Sequence, residues 1–141
     1  MSLRKPCILL VEDNPDHAEF IRRALNGDAT EVVVLPDGQA ALEYLRNSSS
    51  QPSFVILDVK LPKKDGFEVL AIIRTSERFR ELPVIMLSTS FNPDEIRRAY
   101  QMGVNSFVTK PIDFTQFNEK VKQIKEFWLN VSELPSPIQK R

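Results

Sequence analysis

A regular alternation constrains this chain more than any other feature: short apolar runs rich in β-branched residues are separated by segments that open on helix-start signals. The runs are Cys7–Val11, Glu31–Leu35, Phe54–Leu57, Pro83–Leu87 and Ser106–Val108. Unbroken stretches such as Ile8-Leu9-Leu10-Val11 and Val84-Ile85-Met86-Leu87 suit parallel strands buried on both faces, which carry no polar side. Glu31–Leu35 fits a central or a near-edge position equally well. Asn14-Pro15 and Asn92-Pro93 each set a capping side chain ahead of a proline at the first helical position. Glu95 adds a capping-box pattern to the second of these. Asp37-Gly38, Asp65-Gly66 and Asp113 open three more helices. Ile21, Ala24 and Leu25 mark the apolar stripe of the first helix, and Ile96, Ala99, Tyr100 and Gly103 that of the fourth. Phe114, Phe117, Val121, Ile124 and Trp128 recur at three- and four-residue steps along the last. Five strands alternating with five helices predict an α/β fold, a parallel sheet with helices on both faces.

At 141 residues the chain makes one domain, large enough to bury roughly two thirds of its unfolded surface. The domain is expected over residues 1–130, with 131–141 as a tail, because the prolines of Leu134-Pro135-Ser136-Pro137 cannot continue a helix. Lys+Arg and Asp+Glu balance at 19 each, so no strong field favours nucleic acid or an anionic membrane. No apolar stretch approaches the ~18 residues of a membrane span, and the N-terminus lacks a signal peptide's apolar region. A cytoplasmic protein is expected. The lone Cys7 reads as a small buried hydrophobe, with no partner for an internal disulfide.

In open α/β sheets, ligands bind beyond the carboxyl ends of the strands. Those ends carry Glu12-Asp13 after strand one, Asp58 after strand three, Ser88-Thr89 at strand four and Lys110-Pro111 after strand five. None of these is needed to hold a sheet together. Two carboxylates about 5 Å apart repel by roughly 3 kcal/mol at an effective dielectric near 20, so three acids on one rim call for a cation. The donors are all oxygens, which selects a hard ion, and magnesium suits one or two carboxylates with waters and a phosphate oxygen. A carboxylate can attack phosphorus to give an aspartyl phosphate. Asp58 is the nucleophile that central strand three presents, with Lys110 and Ser88 available to the phosphoryl oxygens. Each residue alone has a duller account, such as a helix cap for Asp58 or a surface lysine for Lys110. Their coincidence on one rim is what carries the argument. His17 has no evident chemical partner in the sequence and reads as a helix-surface histidine.

These segments also resemble a known family. Leu9-Leu10-Val11-Glu12-Asp13-Asn14, Leu57-Asp58-Val59-Lys60-Leu61-Pro62 with Asp65-Gly66, Pro83-Val84-Ile85-Met86-Leu87-Ser88 and Phe107-Val108-Thr109-Lys110-Pro111 resemble the response regulator receiver pattern, over nearly the whole chain to about Trp128. The resemblance implies a flavodoxin-like (βα)5 sheet of strand order 2-1-3-4-5. It implies phosphoryl transfer from a histidine kinase to Asp58, and magnesium (Mg2+) held by Glu12 through water, Asp13, Asp58 and the backbone carbonyl of Lys60. Ser88 and Lys110 would bind the phosphoryl group, Lys110-Pro111 would be a cis peptide, and Phe107 would be the rotating aromatic of the switch. Phe107 lacks the hydroxyl that a switch depending on an aromatic hydrogen bond would use. Leu61-Pro62-Lys63-Lys64-Asp65-Gly66 and Glu126-Phe127-Trp128-Leu129 resemble, more narrowly, single-domain regulators that partner bacterial phytochromes.

The sequence shows no DNA-binding or enzymatic module, so the signal is expected to leave by protein contact. The expected surface is the fourth helix, fifth strand and fifth helix, facing a downstream partner or a second copy in a homodimer. The expectation is a signalling switch rather than a turnover enzyme. A phosphatase with an aspartyl intermediate fits less well, since Asp58-Val59-Lys60 has no second acid two residues on. A phosphorylation-independent interaction module is the runner-up, although it would ordinarily have lost an acid or the lysine. A flavin site lacks its Ser/Thr/Gly-rich loop after strand one.

Overall fold

All five apolar runs are strands: β1 (Cys7–Val11), β2 (Glu31–Leu35), β3 (Phe54–Asp58), β4 (Val84–Ser88) and β5 (Ser106–Thr109). They alternate with α1 (Pro15–Leu25), α2 (Gly38–Asn47), α3 (Gly66–Thr75), α4 (Pro93–Gln101) and α5 (Phe114–Glu126). The computed structural model describes residues 5–27 and 29–135. The strands form one parallel sheet in the order β2-β1-β3-β4-β5. Glu31–Leu35 is therefore an edge strand, and its burial falls off accordingly.

The period of two along each strand sorts the core into two layers. Leu9, Val11, Val55, Leu57, Val84 and Met86 pack with Leu42, Leu70 and Ala99 beneath α2, α3 and α4. Ile8, Leu10, Phe54, Ile56, Ile85 and Leu87 pack with Ile21, Leu25, Phe117 and Val121 beneath α1 and α5. The apolar side chains of β3 and β4 are almost fully buried on both faces, as the unbroken runs require.

Each predicted cap forms. Asn14, Asp37, Asp65, Asn92 and Asp113 all accept backbone N–H bonds at their helix starts. The capping box, however, forms at Asp65 with Glu68. At Asn92 only the cap itself is made, because the Glu95 side chain is drawn elsewhere. Gly66 is required by close approach: a Cβ there would lie 2.4 Å from the Asp58 carbonyl oxygen and 2.9 Å from the Val59 Cα. That absence of a side chain lets α3 start directly against the end of β3.

Beyond α5 the chain makes one π-helical turn, Phe127–Val131. Trp128 and Leu129 pack half-buried on the α1/α5 layer, whereas Phe127 and Val131 are exposed. The remainder of the expected tail from 136 on lies outside the described residues. Cys7 is half-buried 4.0 Å from the Tyr44 hydroxyl, and burial pushes its thiol pKa up, which suits an inert role. Among the described residues no helix is long and apolar enough to cross a membrane.

Candidate functional site

The pleat that sorts the core also aims the residues at the strand ends. Glu12, Asp58 and Lys110 stay in step with Leu10, Ile56 and Val108, whose side chains face the α1/α5 layer. All three meet there. Lys110 Nζ donates to Glu12 Oε1 at 2.6 Å and to Asp58 Oδ2 at 3.1 Å, and all three residues are buried. Asp13 joins from the exposed lip. One carboxylate oxygen from each of Glu12, Asp13 and Asp58 lies within 4.8 Å of the others. At that separation each pair repels by roughly 3 kcal/mol, and one ammonium cannot balance three charges. The Asp58 carboxyl pKa is pushed up to about 6 by burial first and by Glu12 second, against the pull of Lys110. The three oxygens therefore fit a hard divalent cation, which would remove the repulsion.

Ser88 has the opposite step. It follows Val84 and Met86 toward the α3/α4 layer, is 3% exposed, and donates from Oγ to Glu95 Oε1 on α4 at 3.2 Å. It also accepts from the Ser90 N–H at 3.0 Å. Phe107 packs half-buried on the same layer, and its N–H donates to the Tyr100 hydroxyl at 3.1 Å. Helix α4 is thus tied to both expected switch residues, through Glu95 and Tyr100. Lys60 lies two residues past Asp58 with an exposed side chain.

Two expectations need correction. Among the described residues no peptide bond is cis, so Lys110-Pro111 is trans. Trans is the lower isomer of an X–Pro bond by about 0.5–1 kcal/mol, and Lys110 still reaches both acids, with its own N–H on the Ser88 carbonyl at 2.7 Å. His17 is not a bystander on the helix surface. Its Nδ1 lies 3.3 Å from Lys110 Nζ, and burial followed by the Lys110 charge holds its pKa below the usual imidazole range. A sequence signal for it existed: His17 precedes Ile21 and Ala24 by four and seven residues, on the stripe that faces the sheet. Glu95 was also missed, its capping-box spacing having assigned it to Asn92.

Known proteins share the sequence pattern and the fold. The chain matches the model for the response regulator receiver domain over residues 8–122. It is 47% identical over 136 residues to the probable methanogenesis regulatory protein FilR2 of Methanothrix harundinacea, covering 92% of this chain and 88% of that one. It is 35% identical to response regulator Rcp1 of Synechocystis sp., with 92% of each chain covered. A crystal structure of the Mn(2+)-bound form of Rcp1 superposes with a TM-score of 0.87, over 93% of this chain and 99% of that one. The crystal structure of the phosphorylated cyanobacterial phytochrome response regulator RcpA is 42% identical, with a TM-score of 0.90 over 95% of this chain and all of the other.

Proposed function

The chain belongs to the response regulator receiver family of two-component signalling, and we propose that Asp58 is its phosphoacceptor, charged by a histidine kinase and read out through helix α4. The observation that carries this reading is the convergence of Glu12, Asp13, Asp58 and Lys110 from separate chain segments, with the lysine bonded to the central acid. Asp58 would attack the phosphorus of a phosphohistidine, forming a P–O bond as the P–N bond breaks. The electron pair of that bond ends on the departing imidazole nitrogen, which takes its proton from solvent water. Lys110, already at 3.1 Å from Asp58, is near enough to follow the charge onto a phosphoryl oxygen. Glu12, Asp13, Asp58 and the backbone carbonyl of Lys60 would hold magnesium, which when bound offsets the charge of the acids and the phosphoryl oxygens. The domain accepts and loses one group on itself and so acts as a switch, not a turnover enzyme.

Output follows from Ser88. A phosphoryl group adds about −1.5 to −2 charges and three strong acceptors beside it. Drawing the Ser88 hydroxyl to that group breaks its bond to Glu95 and loosens α4. Charge-assisted bonds contribute about 1.5–3 kcal/mol each, and moving an equilibrium from 1:99 to 99:1 needs about 5.5 kcal/mol. New bonds from Ser88 and Lys110 supply part of that, less the Ser88–Glu95 bond given up in forming them. The exposed face beside it, with Tyr100 on α4, would meet a downstream protein or a second copy of the chain. The likeness to RcpA supports a phytochrome-type kinase as the donor, and the cytoplasm is the compartment proposed for the exchange.

Incubation with acetyl phosphate and magnesium, followed by intact-mass measurement, tests the chemistry. The native chain should gain one phosphoryl group and Asp58→Asn none. Equal labelling of both would overturn the assignment.

A further inference from the structure

The Lys110 ammonium has three N–H bonds and three partners. Two are the acids of the site, Glu12 at 2.6 Å and Asp58 at 3.1 Å; the third is His17 Nδ1 at 3.3 Å. An ammonium has no lone pair to offer, so the imidazole must accept, and its own proton then sits on Nε2. The ring is steadied independently of the lysine. It meets the buried Phe117 ring edge-on, with centroids 6.3 Å apart at 89°, and its backbone N–H is fixed to the Asn14 cap at 3.1 Å. His17 therefore belongs to the α1/α5 layer and reaches into the site from there.

This matters because the two acids hold Lys110 unequally. The shorter contact is to Glu12, which does not receive the phosphoryl group. When Asp58 forms its new P–O bond, an ammonium held by the acids alone would close onto Glu12. A third anchor, His17 Nδ1, fixes the rotation of the ammonium, so that the N–H facing Asp58 stays directed at the rim. We propose that His17 is a positioning residue for phosphoryl uptake: its Nδ1 fixes the direction of the Lys110 ammonium so that Lys110 meets the incoming phosphoryl oxygen. This rests on Asp58 being the acceptor, and it adds a residue outside the acid cluster to the reaction.

Two measurements test it. The sequence contains one histidine, so ¹⁵N spectra of the native protein report His17 alone. At pH 7.5 a single Nε2–H tautomer is expected, whether or not the protein can be phosphorylated; an averaged mixture of tautomers would overturn the contact. The second measurement is the rate of labelling by acetyl phosphate in the native chain, His17→Leu and His17→Asn. Leucine should slow uptake about 10- to 100-fold, the loss of one charge-assisted bond. Asparagine places Oδ1 where Nδ1 lies and should restore most of the rate, with magnesium affinity alike in all three. A leucine variant as fast as native, or equal loss in both variants, would defeat the proposal. A native chain that takes no label would defeat the acceptor assignment and the positioning role together, whereas slowing confined to the variants speaks only to His17.

Discussion

Neutralising Asp58 should make the metal-free domain more stable while abolishing its chemistry. The carboxyl is 8% exposed and titrates at about 6 instead of 3.8, because burial and Glu12 outweigh the attraction of Lys110. Well below pH 3.8 the group is protonated in both the folded and the unfolded chain, and it adds nothing to the balance. As pH rises the unfolded chain ionises first, and by pH values above 6 the native state carries the full cost of the charge, about 3 kcal/mol. Asparagine resembles the protonated acid and keeps an acceptor for Lys110. Asp58→Asn should therefore gain about 2–3 kcal/mol at pH 7.5 in EDTA, with the gain fading between pH 6 and 4. Urea unfolding followed by the fluorescence of Trp128, the single tryptophan, measures it. Added magnesium should narrow the difference, since it binds the native acid cluster and stabilises it by mass action. A variant no more stable than its parent at pH 7.5, or a gain that grows as pH falls, would refute the electrostatic reasoning.

Glu95→Ala removes the acceptor that holds Ser88 toward α4. It should raise the rate of acetyl phosphate uptake about fivefold, as expected for roughly 1 kcal/mol of restraint released; quench-flow labelling checks this, and an unchanged or slower rate would exclude the tie. Gly66→Ala would drive a Cβ into the backbone at Asp58 and Val59. A loss of about 2–4 kcal/mol is expected in urea unfolding, and a cost under 1 kcal/mol would show that α3 can shift away from the strand end.

The sheet was readable because β1, β3 and β4 are buried on both faces, so their sequences have no polar positions to confuse with a helix period. Strand ends moved by a single residue, as at Asp58 and Ser88, which a periodicity ending in polar residues cannot resolve. The acids and Lys110 were legible for a different reason: topology alone brings strand ends to one rim. His17 and Glu95 were harder because each has an adequate local explanation, a helix face for one and a capping box for the other. Only the placement of the starts of α1 and α4 beside the strand ends shows that their side chains are taken up by Lys110 and Ser88. The isomer of Lys110-Pro111 differs by too little energy for the dipeptide sequence to decide it.

The alternation along the strands leaves the reacting groups and the relay on opposite sides of a wall five strands wide. Glu12, Asp58, Lys110 and His17 look one way; Ser88, Glu95 and Phe107 look the other. Packed aliphatic side chains stand between the two teams. A group bound above the last backbone row is touched by both, so news of the reaction has to travel over the parapet rather than through the masonry. Slipping β3 by one residue would turn Asp58 to the wrong side, and the domain could no longer pass anything on.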